Sequence, residues 1–191
     1  MNYQQKERTL GFLGLRRALL AVALVAAALP AQAISVAFQV VQLEEQKEAD
    51  AHTSIADDDK SEPKTRASSY ALEEALFDVF FERGIIASNA PAVVAFTDKE
   101  ASKAFSSSLK DASRGGIAAF VEITCWCADS LPAWRGGVKS VSWKVVSVKS
   151  RKALGSGQRD LKKAVKTKEK RSSVYVLGLE IADEIYETIR K

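Results

Sequence analysis

Twelve consecutive apolar residues, Ala18 to Leu29, decide which part of this chain has to fold. Lys6, Arg8, Arg16 and Arg17 precede the run, and Pro30 followed by Ala31-Gln32-Ala33 closes it. That is the charged region, apolar region and A-x-A site of a secretory signal, in order. The run falls short of the roughly 20 residues a helix needs to span a bilayer. Residues 1–33 are therefore expected to be a cleavable signal peptide, with no transmembrane span left after its removal. The sequence GLRRALL has no polar residue before its arginine pair and no lysine after it, which favours general secretion over twin-arginine export. Position 34 is Ile34, not the cysteine that a lipid anchor at this site would need. The expected location is the periplasm or the cell exterior.

Loss of the leader changes the charge. The whole chain carries 28 Lys+Arg and 24 Asp+Glu, a net +4. Four of those basic residues and one acidic residue, Glu7, belong to the leader, so the remainder is near neutral at +1. A general attraction to nucleic acid is not expected of such a chain. Residues 34–191 suit one domain large enough to bury about 70% of its unfolded surface without a disulfide framework.

Hydrophobic periodicity divides this stretch into elements. ISVAFQVVQL alternates with period two and predicts a strand. Between Glu44 and Arg66 lie eight acidic residues and almost no large apolar ones, so 44–66 is expected to be a mobile acidic insertion. Its Asp57-Asp58-Asp59 lacks the spaced ligands and glycine of a calcium loop. Leu72, Ala75, Leu76, Val79 and Phe80 recur at helical spacing from Tyr70 to Arg83, with Gly84 just beyond. GIIA and AVVAF flank Ser88-Asn89-Ala90-Pro91 and predict an interrupted strand. Thr97 and Glu100 form a T-x-x-E capping box for a second helix, whose apolar stripe runs Ala101, Ala104, Phe105, Leu109 and Ala112 to Gly115-Gly116. Ile117 to Cys127 predicts a strand with Ile117, Ala119, Val121, Ile123, Cys125 and Cys127 on one face. VKSVSWKVVSV and ALGSGQ follow as two more strands, joined by KSRK. A final helix spans about Val174 to Ile189, with Leu177, Ile181, Ile185 and Ile189 in one row and Glu180, Asp183, Glu184 and Glu187 facing water. The fold class expected is α/β (α+β layered): one small domain of order β-α-β-α-β-β-β-α, with helices packed on a mixed sheet.

The opening VAF strand, the helix ending in ERG, the capped second helix and the hairpin finishing in VKSRKALGSGQ resemble a group of bacterial envelope domains. The group includes the N-terminal domain of TolB, the periplasmic domain of CsgG and the penicillin-binding-protein activator LpoB. The resemblance implies an interaction or assembly module without catalysis, binding another envelope protein. The chain departs from the group in its acidic insertion, its C-W-C sequence and the absence of the lipid-anchor cysteine that the last two carry.

Few residues look chemical. Cys125 and Cys127 point the same way on a strand, with Cα atoms about 6.5–7 Å apart, at the limit for a disulfide. They are candidates for core thiols, for a C-x-C bridge formed in an oxidising compartment, or for a redox pair. Two cysteines without a neighbouring histidine make a poor zinc site. His52, the one histidine, lies in the acidic insertion, away from any patterned partner. Gly155-Ser156-Gly157 lacks the ending of a phosphate loop and is expected to give strand-end flexibility. No catalytic residue, cofactor or metal ligand is therefore assigned. Trp126, Trp134 and Trp143 cluster about one hairpin and could form a partner surface or pack beneath the helices. The basic segment 149–171 holds ten cationic residues, including Lys162, Lys163, Lys166, Lys168, Lys170 and Arg171. It is either a solvated loop or a site for an anionic lipid surface or polymer.

Overall fold

Strand β1 (Ser35–Glu44) is buried along nearly its whole length and sits inside the sheet. The computed structural model describes residues 34–45, 64–164 and 171–191. The leader, the insertion with His52 and Asp57–Asp59, and Lys166, Lys168 and Lys170 lie outside the described residues. After β1 come α1 (Ala67–Glu82), β2 (Ile86–Asn89), β3 (Val93–Ala95), α2 (Asp98–Arg114), β4 (Ala119–Cys127), a short 3-10 turn at Ala133–Arg135, β5 (Val138–Ser147), β6 (Ala153–Asp160) and α3 (Ser173–Arg190). The six strands form one mixed sheet in the order β2-β1-β4-β5-β6. Strand β2 pairs in parallel with the first half of β1 and β3 with the second half, so together they make the interrupted strand expected. Strands β1 and β4 are parallel, and β4-β5-β6 is an antiparallel meander. The fold is the α+β layered domain, with the element order read from the sequence. Among the described residues no helix is long and apolar enough to cross a membrane.

Alternation along the strands sorts two cores. Val36, Phe38 and Val40 of β1 join Val121, Ile123 and Cys125 of β4 and Val141, Trp143 and Val145 of β5 under α1 and α3. Ala37, Val41, Leu43 and Phe120 face the other way and pack with Ala101, Phe105 and Ala112 of α2. Ile117 belongs to this second cluster, not to the cysteine face expected for it, because β4 begins only at Ala119.

Helix α1 starts three residues before the expected Tyr70, at Ala67, with Arg66 as its N-cap. Its end is a Schellman turn: Gly84 at φ 69° donates to the Phe81 carbonyl, and the Ile85 N–H reaches Phe80. At α2 the Thr97 hydroxyl accepts from the Glu100 N–H at 3.2 Å. The Glu100 carboxylate reaches the Phe96 N–H at 2.8 Å, one residue before the donor of a regular capping box. Gly155 and Gly157 do not act as strand-end flexibility. They lie within β6, where a Cβ would come within 2.7 Å of Thr188 and 2.8 Å of the Trp143 indole, so their bareness lets α3 and Trp143 pack on the strand.

Glu73 on α1 is only 9% exposed, and its Oε1 has no hydrogen-bond partner among the described residues. Burial raises its pKa above the ordinary glutamate value, partly offset by a hydrogen bond from Asn89. A carboxyl with a raised folded-state pKa contributes stability at acidic pH and loses that contribution as pH rises through the folded value. Glu73→Gln removes the buried charge while keeping the shape and the acceptor for Asn89, so at pH 7.5 it should stabilise by about 1 kcal/mol and raise the thermal midpoint by roughly 2–4 °C. Near pH 4 the variant and the parent should melt together. Thermal scans across that range test both statements.

Candidate functional cleft

The connections of the parallel strands leave a crevice at their carboxyl ends. From β1 the chain crosses through α1 to β2 and β3 on one side, and then through α2, on the opposite face, to β4 on the other side. Such a reversal of winding parts the loops that follow neighbouring strands, and ligands of open α/β sheets bind there. Here the crevice is a cleft of about 490 Å³, lined by the ends of β1 (Leu43, Glu44, Glu45), the β3–α2 turn (Phe96, Thr97, Asp98), the end of β4 (Trp126, Cys127) and Lys139 of β5. Two large apolar rings stand open to it: Phe96 is 43% and Trp126 39% exposed.

Glu44, one of the lining residues, is held in an ion-paired latch. Arg66 grips Glu44 with two hydrogen bonds of 2.6 Å and reaches Asp129 at 2.6 Å. Its backbone N–H donates to Gln42 Oε1 at 2.7 Å, which also accepts from Ser69. Gly137, at φ 79°, has no Cβ because the guanidinium lies over it, where a Cβ would stand 2.5 Å from Nη1. The hydrogen bond to the Glu44 carboxylate raises the pKa of Arg66 still further, so the guanidinium stays charged. Glu44 and Arg66 bounded the insertion expected to be mobile, yet they are its anchored ends. They join β1, α1 and the β4–β5 connection. With Glu44 neutralised, Glu45 and Asp98 are carboxylates of the cleft with no ion pair among the described residues.

Neither cysteine presents an accessible thiol, although Cys127 is one of the cleft's lining residues. Cys125 is fully buried and Cys127 is 3% exposed; both are free thiols, with sulfur atoms 3.6 Å apart beside a bulge at Trp126/Cys127. The hydrogen bond with Cys127 and burial push the Cys125 thiol well above the ordinary value. A thiol held neutral and away from solvent is a poor nucleophile. Native protein should therefore resist alkylation at both positions, with labelling appearing only after denaturant. Cys125→Ala should cost about 1–3 kcal/mol through lost packing.

The three tryptophans do not form one surface. Trp126 lines the cleft, whereas Trp134 is partly buried against the main core with Arg135 over its ring at 5.1 Å. Trp143 is 6% exposed and packs on Gly157, which rules it out as an exposed partner contact. The basic segment is likewise divided. It runs from the β5–β6 turn through β6, where Arg159 pairs with Glu184 of α3, so Glu184 is half-buried and not fully solvated. Lys162 and Lys163 are exposed, and Arg171 is engaged by Glu74 and by the Tyr175 ring. Phe96, Glu45, Asp98 and Lys139 carried no signal as separate positions. What could have marked Glu45 and Phe96 is that each directly follows the carboxyl end of a parallel strand.

Residues 35–190 match a family model described as "Uncharacterised protein". The chain belongs to that family. No curated protein matches it. Among solved structures, this chain has a distant likeness to TolB from Acinetobacter baumannii, at 12% identity and a TM-score of 0.37, over 84% of this chain and 29% of that one. The chain thus spans less than a third of TolB. Lipoprotein GNA1162 from Neisseria meningitidis is similar at 14% identity and a TM-score of 0.34, over 82% of this chain and 99% of that one.

Proposed function

We propose that the protein is an exported, non-catalytic module of the cell envelope that binds another envelope protein through the cleft at the ends of β1, β3 and β4. One observation carries the proposal: Phe96 and Trp126 expose their rings to the same crevice, at the place where this strand order opens a binding site. Aromatic side chains of this kind are enriched in the desolvated centres of protein interfaces. The signal-like leader supports export. Thiol exchange through Cys125 and Cys127 would need an accessible thiolate, which the burial of both sulfurs opposes.

The test is site-specific photo-crosslinking in the producing cells, with the reactive amino acid placed at position 126 or 96 and, as a control, at exposed Lys103 on α2. The result expected is a discrete protein adduct, found in the envelope fraction, from positions 126 and 96 only. Absence of a protein adduct at both cleft positions, or the same adducts at Lys103, would overturn the proposal.

A further inference from the structure

We infer that the group received between Phe96 and Trp126 is a cation, the guanidinium of an arginine in an extended segment of the partner protein. The inference rests on the docking role proposed for the cleft and names what docks.

The walls and the rim have different chemistry. Phe96 and Trp126 put two exposed aromatic rings on the lining, and a cation near an aromatic face is drawn to its quadrupole, most strongly at tryptophan. Glu45 and Asp98 add two carboxylates with no ion pair among the described residues, against the single ammonium of Lys139. Glu44 adds no further free charge, since Arg66 holds it in a bidentate pair.

An anion would find little here. The N-terminus of α2 opens on the cleft, and helix ends of this kind attract anions through free N–H groups. One of this end's donors, the Glu100 N–H, is already engaged by Thr97, and the Phe96 N–H just before the cap is taken by the Glu100 carboxylate. Asp98 and Glu100 in the first turn set two negative charges against the dipole.

A planar guanidinium suits the site better than an ammonium, because it can stack on an indole while donating sideways to carboxylates. The volume of about 490 Å³ lies within the range of ligand pockets and leaves room for the side chain and some of its flanking backbone. Lys139 sets the sign of the test. It repels a bound cation and would attract a bound anion.

The experiment measures binding of fluorescent five-residue peptides to the purified full chain at low salt. The peptides are identical except for a central arginine, lysine, citrulline or glutamate. The arginine peptide should bind at least tenfold tighter than citrulline, its neutral isostere, and should weaken as salt rises. Trp126→Ala and Asp98→Asn should each lower its affinity about tenfold, whereas Lys139→Gln should raise it. Unchanged melting curves show that the variants fold. Free arginine amide separates a protein segment from a small amine: it should bind more weakly than the peptide, and equal or tighter binding would overturn the peptide assignment. Equal affinity for arginine and citrulline, no binding of the arginine peptide at millimolar concentration, or weaker binding by Lys139→Gln would overturn the inference. If position 126 still crosslinks to a protein while the peptides show no charge preference, the docking role stands and the cation falls alone.

Discussion

Replacing Phe38 by alanine should lower the unfolding free energy by about 3–5 kcal/mol, the range for removing a buried aromatic ring. Phe38 is fully buried at the centre of β1 and lies where the sheet meets α1. Its ring makes edge contacts with Phe77 at 4.9 Å and with Phe80 at 6.2 Å between centroids. The cavity left by alanine has no simple way to close, because β1 is held by strands on both sides and cannot move toward the helix. With about 2–4 °C of midpoint per kcal/mol in a domain of this size, the melting temperature should fall by roughly 10 °C. Denaturant titration with an unchanged slope would assign the loss to the folded state. A loss below about 1 kcal/mol would mean that α1 does not pack on β1 through these rings.

The second large effect is expected at Gly178, in the middle of α3. Glycine inside a helix ordinarily costs about 1 kcal/mol relative to alanine, so a larger residue would normally be the better choice. Here the preference reverses, because a Cβ at this position would stand 2.7 Å from the Ala75 Cβ and 3.5 Å from Leu72 Cδ2. Ala75 is fully buried and its Cβ is fixed to the α1 backbone, so relief requires α1 and α3 to move apart. Gly178→Val should therefore destabilise by about 3 kcal/mol, at the upper end of ordinary overpacking. Combining it with Ala75→Gly, which removes the opposing methyl group, should restore about 1 kcal/mol or more beyond additivity. Additive losses in the double variant would show that the two helices do not meet at this pair.

Neither effect could be read from the sequence, and the reason is the same for both. Period-two alternation marked Phe38 as facing a core, yet nothing in its neighbours says which helix covers it. Nothing in the residues around Gly178 says why the helix carries a glycine there. Only the close approach of α1, a hundred residues earlier, makes it necessary.

What the sequence determined by itself is whatever depends on local periodicity and on neighbours three or four residues apart. The order of elements, the interrupted strand β2–β3, the Thr97 cap of α2, the glycine stop of α1 and the placing of Trp126 opposite the cysteines are all of this kind. Each is fixed by backbone geometry that a side chain can satisfy or oppose within one or two turns. Tertiary structure decided everything that needed the strands in their spatial order. Parallel pairing of β1 with β3 and β4 brings Glu45, Phe96, Asp98, Trp126 and Lys139 to one cleft, although they lie up to 94 residues apart. The same pairing converts Glu44 and Arg66 from the ends of an acidic insertion into a latch, and it puts Trp143 under α3 while Trp126 remains open. Burial and ion pairing are sums over residues distant in the chain, so the chemistry of the cleft appears only when the sheet has assembled.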